Sequence, residues 1–203
     1  MALEQEIKLS VLGDGVDLTQ LIFEGYQRSE INEQRLVSTY FDTPDLILLS
    51  KKIGLRLRHD GTQWFQTVKE SGQVKNGLHQ RLEWENKIPT NDFDLSLLRQ
   101  TPLSTLIDDQ AVWPNISELF TTDFVRQTIL ISDGRAEIEL AYDKGTISND
   151  KKATAIHEIE LELKSGDISY LQMLSAQLMT QLPLKTTDKS KAQLGYKLCR
   201  NNV

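Results

Sequence analysis

The sequence predicts an α+β fold that is mainly antiparallel β, with about eight strands forming a closed barrel and helices at its periphery. Three observations lead there. Short segments alternate apolar and charged residues at period two, as in Leu55-Arg56-Leu57-Arg58. Asp-Gly pairs at Asp60-Gly61 and Asp133-Gly134 separate such segments, and hairpin turns favour that dipeptide. Helical spacing is confined to connections and the C-terminal part, so the strands are joined by hairpins and not by regular βαβ crossovers. A barrel of this size either fills its interior or keeps room for one ligand.

The elements follow in order. Leu3–Leu9 alternates imperfectly and reads as a strand, ended by Gly13-Asp14-Gly15. Asp17 or Thr19 then caps a short helix through Leu21, Ile22 and Phe23. Glu30–Phe41 is a strand, and Thr43-Pro44 starts a short helix through Leu49, with proline in its first turn. The hairpin at Asp60-Gly61 returns through Trp64–Lys69, and Ser71–Asn76 is a polar loop. Leu78–Ile88 places Leu82, Trp84 and Asn86 on one face and Arg81, Glu83, Glu85 and Lys87 on the other. Asn91–Ile107 looks helical, interrupted at Pro102. Leu119–Ser132 and Arg135–Asp143 flank the second Asp-Gly turn, and Ala153–Lys164 is a further strand. Asp167 caps a helix with Leu171, Leu174 and Leu178 on one side, stopped by Pro183; Asp188 or Ser190 caps a last helix with Leu194 and Leu198.

Composition narrows the function. At roughly 150 residues per domain, 203 residues form one domain spanning 1–203. A net charge of −6 argues against general nucleic-acid binding while leaving room for a local basic site. One cysteine excludes an internal disulfide and a multi-cysteine zinc site. Met1–Leu12 has no basic stretch followed by an apolar one, and no run approaches the length of a membrane span. A cytoplasmic chain, monomer or homodimer, with no nucleic-acid or membrane partner is expected.

The charged faces carry the functional signal. Residues two apart in a strand share a face. Glu4 and Glu6 share one with Lys8, Arg56 and Arg58 another, Arg81 with Glu83 and Glu85 a third, and Glu158, Glu160 and Glu162 a fourth. A solvated outer face is the bland reading of any one strand. Like charges side by side repel, however, and these blocks are segregated by strand, so a charged barrel interior explains them together. Carboxylates without histidine or cysteine suit a hard cation, Mg²⁺ or Mn²⁺. Paired arginines suit phosphate oxygens. Together they describe a metal–polyphosphate site, which needs positioning and charge neutralisation but no side-chain nucleophile.

Several ordered motifs resemble the CYTH superfamily, the triphosphate tunnel metalloenzymes. Glu4-Gln5-Glu6-Ile7-Lys8 is similar to the family's ExExK signature. Tyr40–Leu46, Gly54–Arg58, Gln66–Lys69, Glu158–Gly166 and Ser190-Lys191-Ala192 follow in family order. Gly77-Leu78-His79-Gln80-Arg81 resembles the bacterial inorganic triphosphatase branch in particular. The resemblance implies an eight-stranded tunnel that binds a triphosphate and Mg²⁺ or Mn²⁺, and a triphosphatase that cleaves inorganic triphosphate to pyrophosphate and phosphate. It implies metal ligation by Glu4, Glu6, Glu158 and Glu160, with Glu162 on the same face. Lys8, Arg56, Arg58, Lys69, Arg81, Arg126, Lys185 and Lys191 would bind phosphates. Glu83 and Glu85 would order basic side chains or water. Asp143 fits either the acidic cluster or a turn with Gly145. Branch relatives often carry a C-terminal, histidine-rich CHAD domain; this sequence shows none, so targeting by that domain is not expected. Some tunnel triphosphatases carry a Lys-Thr-Arg run in the middle strand, where this chain has Phe124-Val125-Arg126.

The remaining candidates read as structural. His59, His79 and His157 lack metal-ligand spacing, although His79 lies in the branch motif. Cys199 has no evident catalytic histidine. Trp64 and Trp84 read as core or wall packing and Trp113 as loop packing. Gly13, Gly15, Gly61, Gly134 and Gly145 read as turn glycines. No GxxxxGK[ST] occurs, which disfavours a P-loop NTPase. Two rivals keep the scaffold or abandon catalysis: a class IV-type adenylate cyclase or thiamine triphosphatase, and a non-catalytic polyphosphate-binding module. The intact set Glu4, Glu6, Glu158 and Glu160 argues against the last.

Overall fold

The computed structural model describes residues 1–200. The strands are β1 (Ala2–Val11), β2 (Gln27–Arg28), β3 (Asn32–Asp42), β4 (Ile53–His59), β5 (Trp64–Glu70), β6 (Gln73–Lys75), β7 (Leu78–Ile88), β8 (Ser117–Ser132), β9 (Glu137–Ser148), β10 (Ala153–Ser165) and β11 (Leu184–Thr186). The helices are α1 (Ile47–Ser50), α2 (Leu95–Leu98), α3 (Ser104–Ile107), α4 (Ser169–Gln181) and α5 (Lys191–Arg200). Among the described residues, eight strands form a closed antiparallel ring in the order β1-β10-β9-β8-β3-β4-β5-β7, and β7 returns to β1 through Ala2↔Glu83 to Ile7↔Leu78. Closure leaves the ring without an unpaired edge. Where β7 diverges from β1, β11 takes over its edge at Leu9–Val11.

Alternation within each strand separates a greasy outside from a charged inside. On β1, Ile7, Leu9 and Val11 point outward and, with Ile159, Leu161, Ile138 and Leu140, bury against Leu171, Leu174 and Leu178 of α4. On the opposite flank Leu55 and Val68 pack beneath α1–α3 through Leu48, Leu98, Leu103 and Leu106. Fully burying one such side chain is worth roughly 1.5–3 kcal/mol, so the hydrophobic driving force comes from the outer face and the lumen is left for charge. A third cluster lies inside one end of the barrel: Tyr40, Phe120, Phe124, Ile147 and Ile156 meet Tyr196 of α5. That helix closes the end and carries Lys191 at its first position. Ser190 and Gln193 form a reciprocal cap, Ser190 Oγ accepting from the Gln193 amide at 3.2 Å and Gln193 Oε1 from the Ser190 amide at 2.8 Å. Asp188 is not the cap; it accepts from the Gly77 amide at 2.6 Å and ties the segment to the start of β7. The buried carboxylate of Asp42 accepts from the Leu48 and Leu49 amides at 2.8 and 2.9 Å, capping α1, and from the Tyr196 hydroxyl at 3.3 Å, anchoring α5.

Four expectations change. The helix after Asp17 is a single 3₁₀ turn, Leu18–Gln20, because the chain must extend again to bury both Leu21 and Phe23. The Asn91–Ile107 stretch holds two one-turn helices, the first placing Leu98 and the second Leu106 and Ile107 against the barrel wall. The polar stretch Ser71–Asn76 contains β6, which pairs with Leu78–Gln80. Gly145 is not a turn residue: it lies in mid-β9 opposite Phe124, and a Cβ there would sit 2.2 Å from the Asp123 carbonyl oxygen. That contact is with backbone and cannot rotate away. Gly145→Ala is therefore expected to destabilise the fold by about 1–3 kcal/mol in urea unfolding; a change within about 0.5 kcal/mol, the usual range for surface substitutions, would contradict the packing described.

Candidate functional site

Inward-facing side chains of all eight ring strands enclose a cavity of about 590 Å³. Glu4, Glu6 and Lys8 reach in from β1, Tyr40 from β3, Arg56 and Arg58 from β4, and Thr67 and Lys69 from β5. Arg81, Glu83 and Glu85 come from β7, Arg126 from β8, Glu139 from β9, and Glu160, Glu162 and Lys164 from β10. Lys191 of α5 completes the lining from the closed end. In this low-dielectric space unpaired charges are costly, and the side chains are arranged in pairs.

One corner is acidic. Asp143, Glu158 and Glu160 each offer an oxygen within 4.8 Å of the others. Lys191 Nζ reaches all three, at 2.6, 2.5 and 2.9 Å. Arg126 grips Asp143 with Nε and Nη2, at 2.7 and 2.6 Å, and donates to Glu160 at 2.5 Å. Burial alone would raise the pKa of Asp143 and Glu160. Lys191 with Arg126, and for Glu160 also Lys8, outweigh it and hold both below the ordinary carboxylate range. Glu158 goes the other way, because its burial exceeds the pull of Lys191 and Lys8. An all-oxygen donor set of this kind suits a hard divalent cation.

A second group surrounds β1. Glu4 accepts from Lys69 at 2.8 Å and from Arg81 Nε at 2.5 Å. Glu6 accepts from Arg81 Nη2 and from Lys8 Nζ, both at 2.9 Å. Lys8 also ion-pairs with Glu160, its cross-strand partner on β10. Thus Lys8 joins the β1 glutamates to the acidic corner.

The third group carries excess positive charge. Arg56 pairs with Glu85 at 3.1 Å and, more loosely, with Glu83 at 3.6 Å, yet its buried Nε has no hydrogen-bond partner among the described residues. Arg58 Nε donates to the buried Ser38 hydroxyl at 2.9 Å, and among the described residues Arg58 forms no ion pair with a carboxylate. Burial, then the like charges of Arg56 and Arg126, push Arg58 down to about 10. A half-buried guanidinium near two others, with an unmet N–H beside it, is an anion-recognition arrangement.

The structure thus gathers nearly every predicted side chain. Glu4, Glu6, Lys8, Arg56, Arg58, Lys69, Arg81, Glu83, Glu85, Arg126, Glu160, Glu162 and Lys191 line one cavity, and Glu158 touches it through Lys191. Glu162 is set apart: it pairs with Lys164 at 2.9 Å, outside the trio around Lys191. Lys185 is not brought in; it is exposed on β11, opposite Ser10. Asp143 belongs to the acidic corner and not to a turn, being fully buried in β9 opposite Arg126. The alternation Glu139-Ala141-Asp143 was the available signal, obscured by the nearby glycine. Tyr40 and Ser38 carry no charge to signal a site, although the alternation Leu36-Ser38-Tyr40-Asp42 puts them on one face. Burial would raise the Tyr40 phenol, but Arg56, Arg58 and Lys69 outweigh it and lower its pKa. His79 is buried, with Nε2 3.3 Å from the Thr187 carbonyl. Trp84 and Trp113 pack against the α1–α3 cluster.

Comparison with known proteins agrees with this architecture. Residues 2–196 match the CYTH domain family. An inorganic triphosphatase of Haemophilus influenzae is 34% identical over 206 residues, covering 98% of this chain and 55% of that protein. The chain thus spans about half the length of this curated relative. A candidate adenylyl cyclase of Hippeastrum with a dominant triphosphatase activity superposes with a TM-score of 0.62 at 16% identity, covering 96% of this chain and 95% of that one. A candidate adenylate cyclase of Bacillus halodurans gives 0.55 at 17%, covering 94% and 96%. At these identities the two structures speak for the fold alone. No helix among the described residues is long and apolar enough to cross a membrane.

The lysine at the acidic corner generates a pH-dependent prediction. Because Asp143 and Glu160 titrate lower in the folded chain, their stabilisation is complete above the unfolded carboxylate values, about 4. It is lost as pH falls through the lower folded values. Lys191→Met leaves buried Glu158 without its ion-pair partner and removes one of the cations on Asp143 and Glu160, and is expected to cost about 3–5 kcal/mol in urea unfolding near neutral pH. Their pKa values then rise, so the deficit should shrink as the medium is taken down to about pH 4.5. A deficit equal at both pH values would contradict the electrostatic role.

Proposed function

The chain belongs to the CYTH domain family, and from that premise we propose that it is a metal-dependent triphosphatase that hydrolyses inorganic triphosphate to pyrophosphate and phosphate. The observation that carries the proposal is one cavity lined both by the incompletely paired guanidinium groups of Arg56 and Arg58 and by Glu160, the member of the all-oxygen acidic corner that reaches the lumen. Arg56 and Arg58 line the cavity and would supply guanidinium donors to phosphate oxygens, and Lys69 adds a point charge. Glu83 and Glu85 hold Lys69 and Arg56 in place, so these donors are oriented before substrate arrives. Asp143, Glu158 and Glu160, with Glu4 and Glu6 alongside, would hold Mg²⁺ or Mn²⁺. When bound, the ion supplies charge neutralisation on the phosphates and favours attack by water. Water cleaves a terminal P–O–P bond, so no nucleophilic side chain is required.

The lining also supports an inorganic substrate. Among the described lining residues the phenol rings are those of Tyr40 and Tyr196, both buried, and Tyr40 is already stacked on Phe120 with centroids 4.6 Å apart. Among the described lining residues, no exposed ring is offered to a nucleobase or to thiamine.

Release of phosphate from inorganic triphosphate, ATP and thiamine triphosphate, each with Mg²⁺, Mn²⁺ or chelator, tests the reading. The expected result is chelator-sensitive turnover fastest on inorganic triphosphate. Arg58→Ala should lower kcat/KM on the order of 10²–10³-fold, as loss of one preorganised donor does elsewhere, and Glu160→Gln should leave no measurable turnover. Cyclic AMP from ATP would move the assignment to a cyclase; tight triphosphate binding without turnover would move it to a binding module.

A further inference from the structure

The oxygens of Glu4 and Glu6 are distributed one by one among cations. Glu4 Oε1 takes Lys69, Glu4 Oε2 and Glu6 Oε1 take the two ends of the Arg81 fork, and Glu6 Oε2 takes Lys8. Arg81 therefore spans both glutamates, with contacts of 2.5 and 2.9 Å. The three side chains are locked in register, because Glu4 lies opposite Arg81 and Glu6 opposite His79 across the β1–β7 pair. Glu6 is 3% exposed as a side chain and Arg81 15%, so water competes little for the contact. A divalent cation bridging Glu4 and Glu6 through Glu4 Oε2 and Glu6 Oε1, the two oxygens that Arg81 already brings together, competes with Arg81 for them. Once off the glutamates, Arg81 remains a buried cation in the same cavity, and its natural replacement partner is an anion in the lumen.

We propose that Arg81 is an exchangeable counter-ion: it blocks divalent-cation binding at Glu4 and Glu6 until a polyphosphate in the cavity accepts its guanidinium. This rests on the triphosphatase reading and deepens it, since it makes cation binding and triphosphate binding mutually dependent. A ligand shifts such an equilibrium only by its differential affinity for the two arrangements, and here the difference is the partner of one arginine. Lys69 and Lys8 cannot replace Arg81 in this role, because each is a point charge that touches one oxygen of the pair, whereas the planar fork bridges two carboxylates.

The test measures binding, not turnover, on the full chain. Mn²⁺ binding is followed by electron paramagnetic resonance, and binding of a non-hydrolysable imido analogue of triphosphate by calorimetry, the latter at fixed free Mn²⁺ and again with chelator. Without the analogue, Arg81→Gln should bind Mn²⁺ about tenfold more tightly than the wild type, within the usual range of coupling between sites. Arg81→Lys, which keeps the charge but loses the fork, should gain a substantial part of that. Arg58→Gln removes a lumen cation that does not touch the glutamates and should gain less than either. Arg81→Gln should weaken analogue binding when Mn²⁺ is present and leave it unchanged with chelator. Equal gains from Arg58→Gln and Arg81→Gln would reduce the effect to long-range charge and overturn the proposal, as would unchanged Mn²⁺ affinity in both Arg81 variants. A wild type that binds the analogue and Mn²⁺ neither together nor separately would overturn the triphosphatase reading along with it.

Discussion

Everything else in this molecule depends on one constraint: charges withdrawn into a barrel must find partners there. Lys8 shows how the constraint is met. Its ammonium bridges Glu6 on its own strand and Glu160 on the neighbouring strand, so the two strands bearing most of the carboxylates are held at one register. Lys191 does the same from outside the sheet, gathering Asp143, Glu158 and Glu160 around one nitrogen. Remove either cation and the desolvation of the carboxylates is offset less completely, with Glu158 losing its ion-pair partner when Lys191 goes.

Such an interior does not stabilise a fold by itself. Buried ion pairs seldom outperform hydrophobic packing. The barrel stands because its apolar residues face outward and are covered, by α4 on one flank and by α1–α3 on the other. The helices are therefore a consequence of the charged lumen: a β-barrel whose inside is reserved for ions needs its hydrophobic core on the outside. At the closed end the rule relaxes. Tyr40, Phe120 and Phe124 turn inward and meet α5, and Gly195 permits the approach, since a Cβ there would fall 2.1 Å from the Phe120 ring. That apolar floor sets the depth at which Lys191 enters.

The pairing is incomplete in one place, and that is where function concentrates. Carboxylates and cations match around β1 and around Lys191, whereas Arg58 and part of Arg56 are left over. A fold selected only for stability would have supplied a carboxylate there. The surplus positive charge shares the cavity with Glu160 of the acidic corner, so an anion and a cation would each find groups of opposite sign in one lumen.

Much of this was legible in the chain. Period-two alternation with like charges on alternate residues marked β1, β4, β7 and β10 and the side chains they turn to one face. The barrel follows from hairpin turns and the absence of crossovers, and the ordered motifs from Glu4 to Lys191 indicated the family. Asp143 was ambiguous because an aspartate two residues from a glycine is a common turn signal; only the pairing of β9 with β8, which sets Gly145 against Phe124, makes that glycine a packing residue. Lys185 follows Pro183-Leu184, but β11 docks on β1 with Lys185 in solvent. The sequence by itself determined which residues share a strand face, because that periodicity is local. Which charge meets which was decided by the tertiary structure alone, because the register between strands and the seating of α5 bring together atoms far apart in the chain.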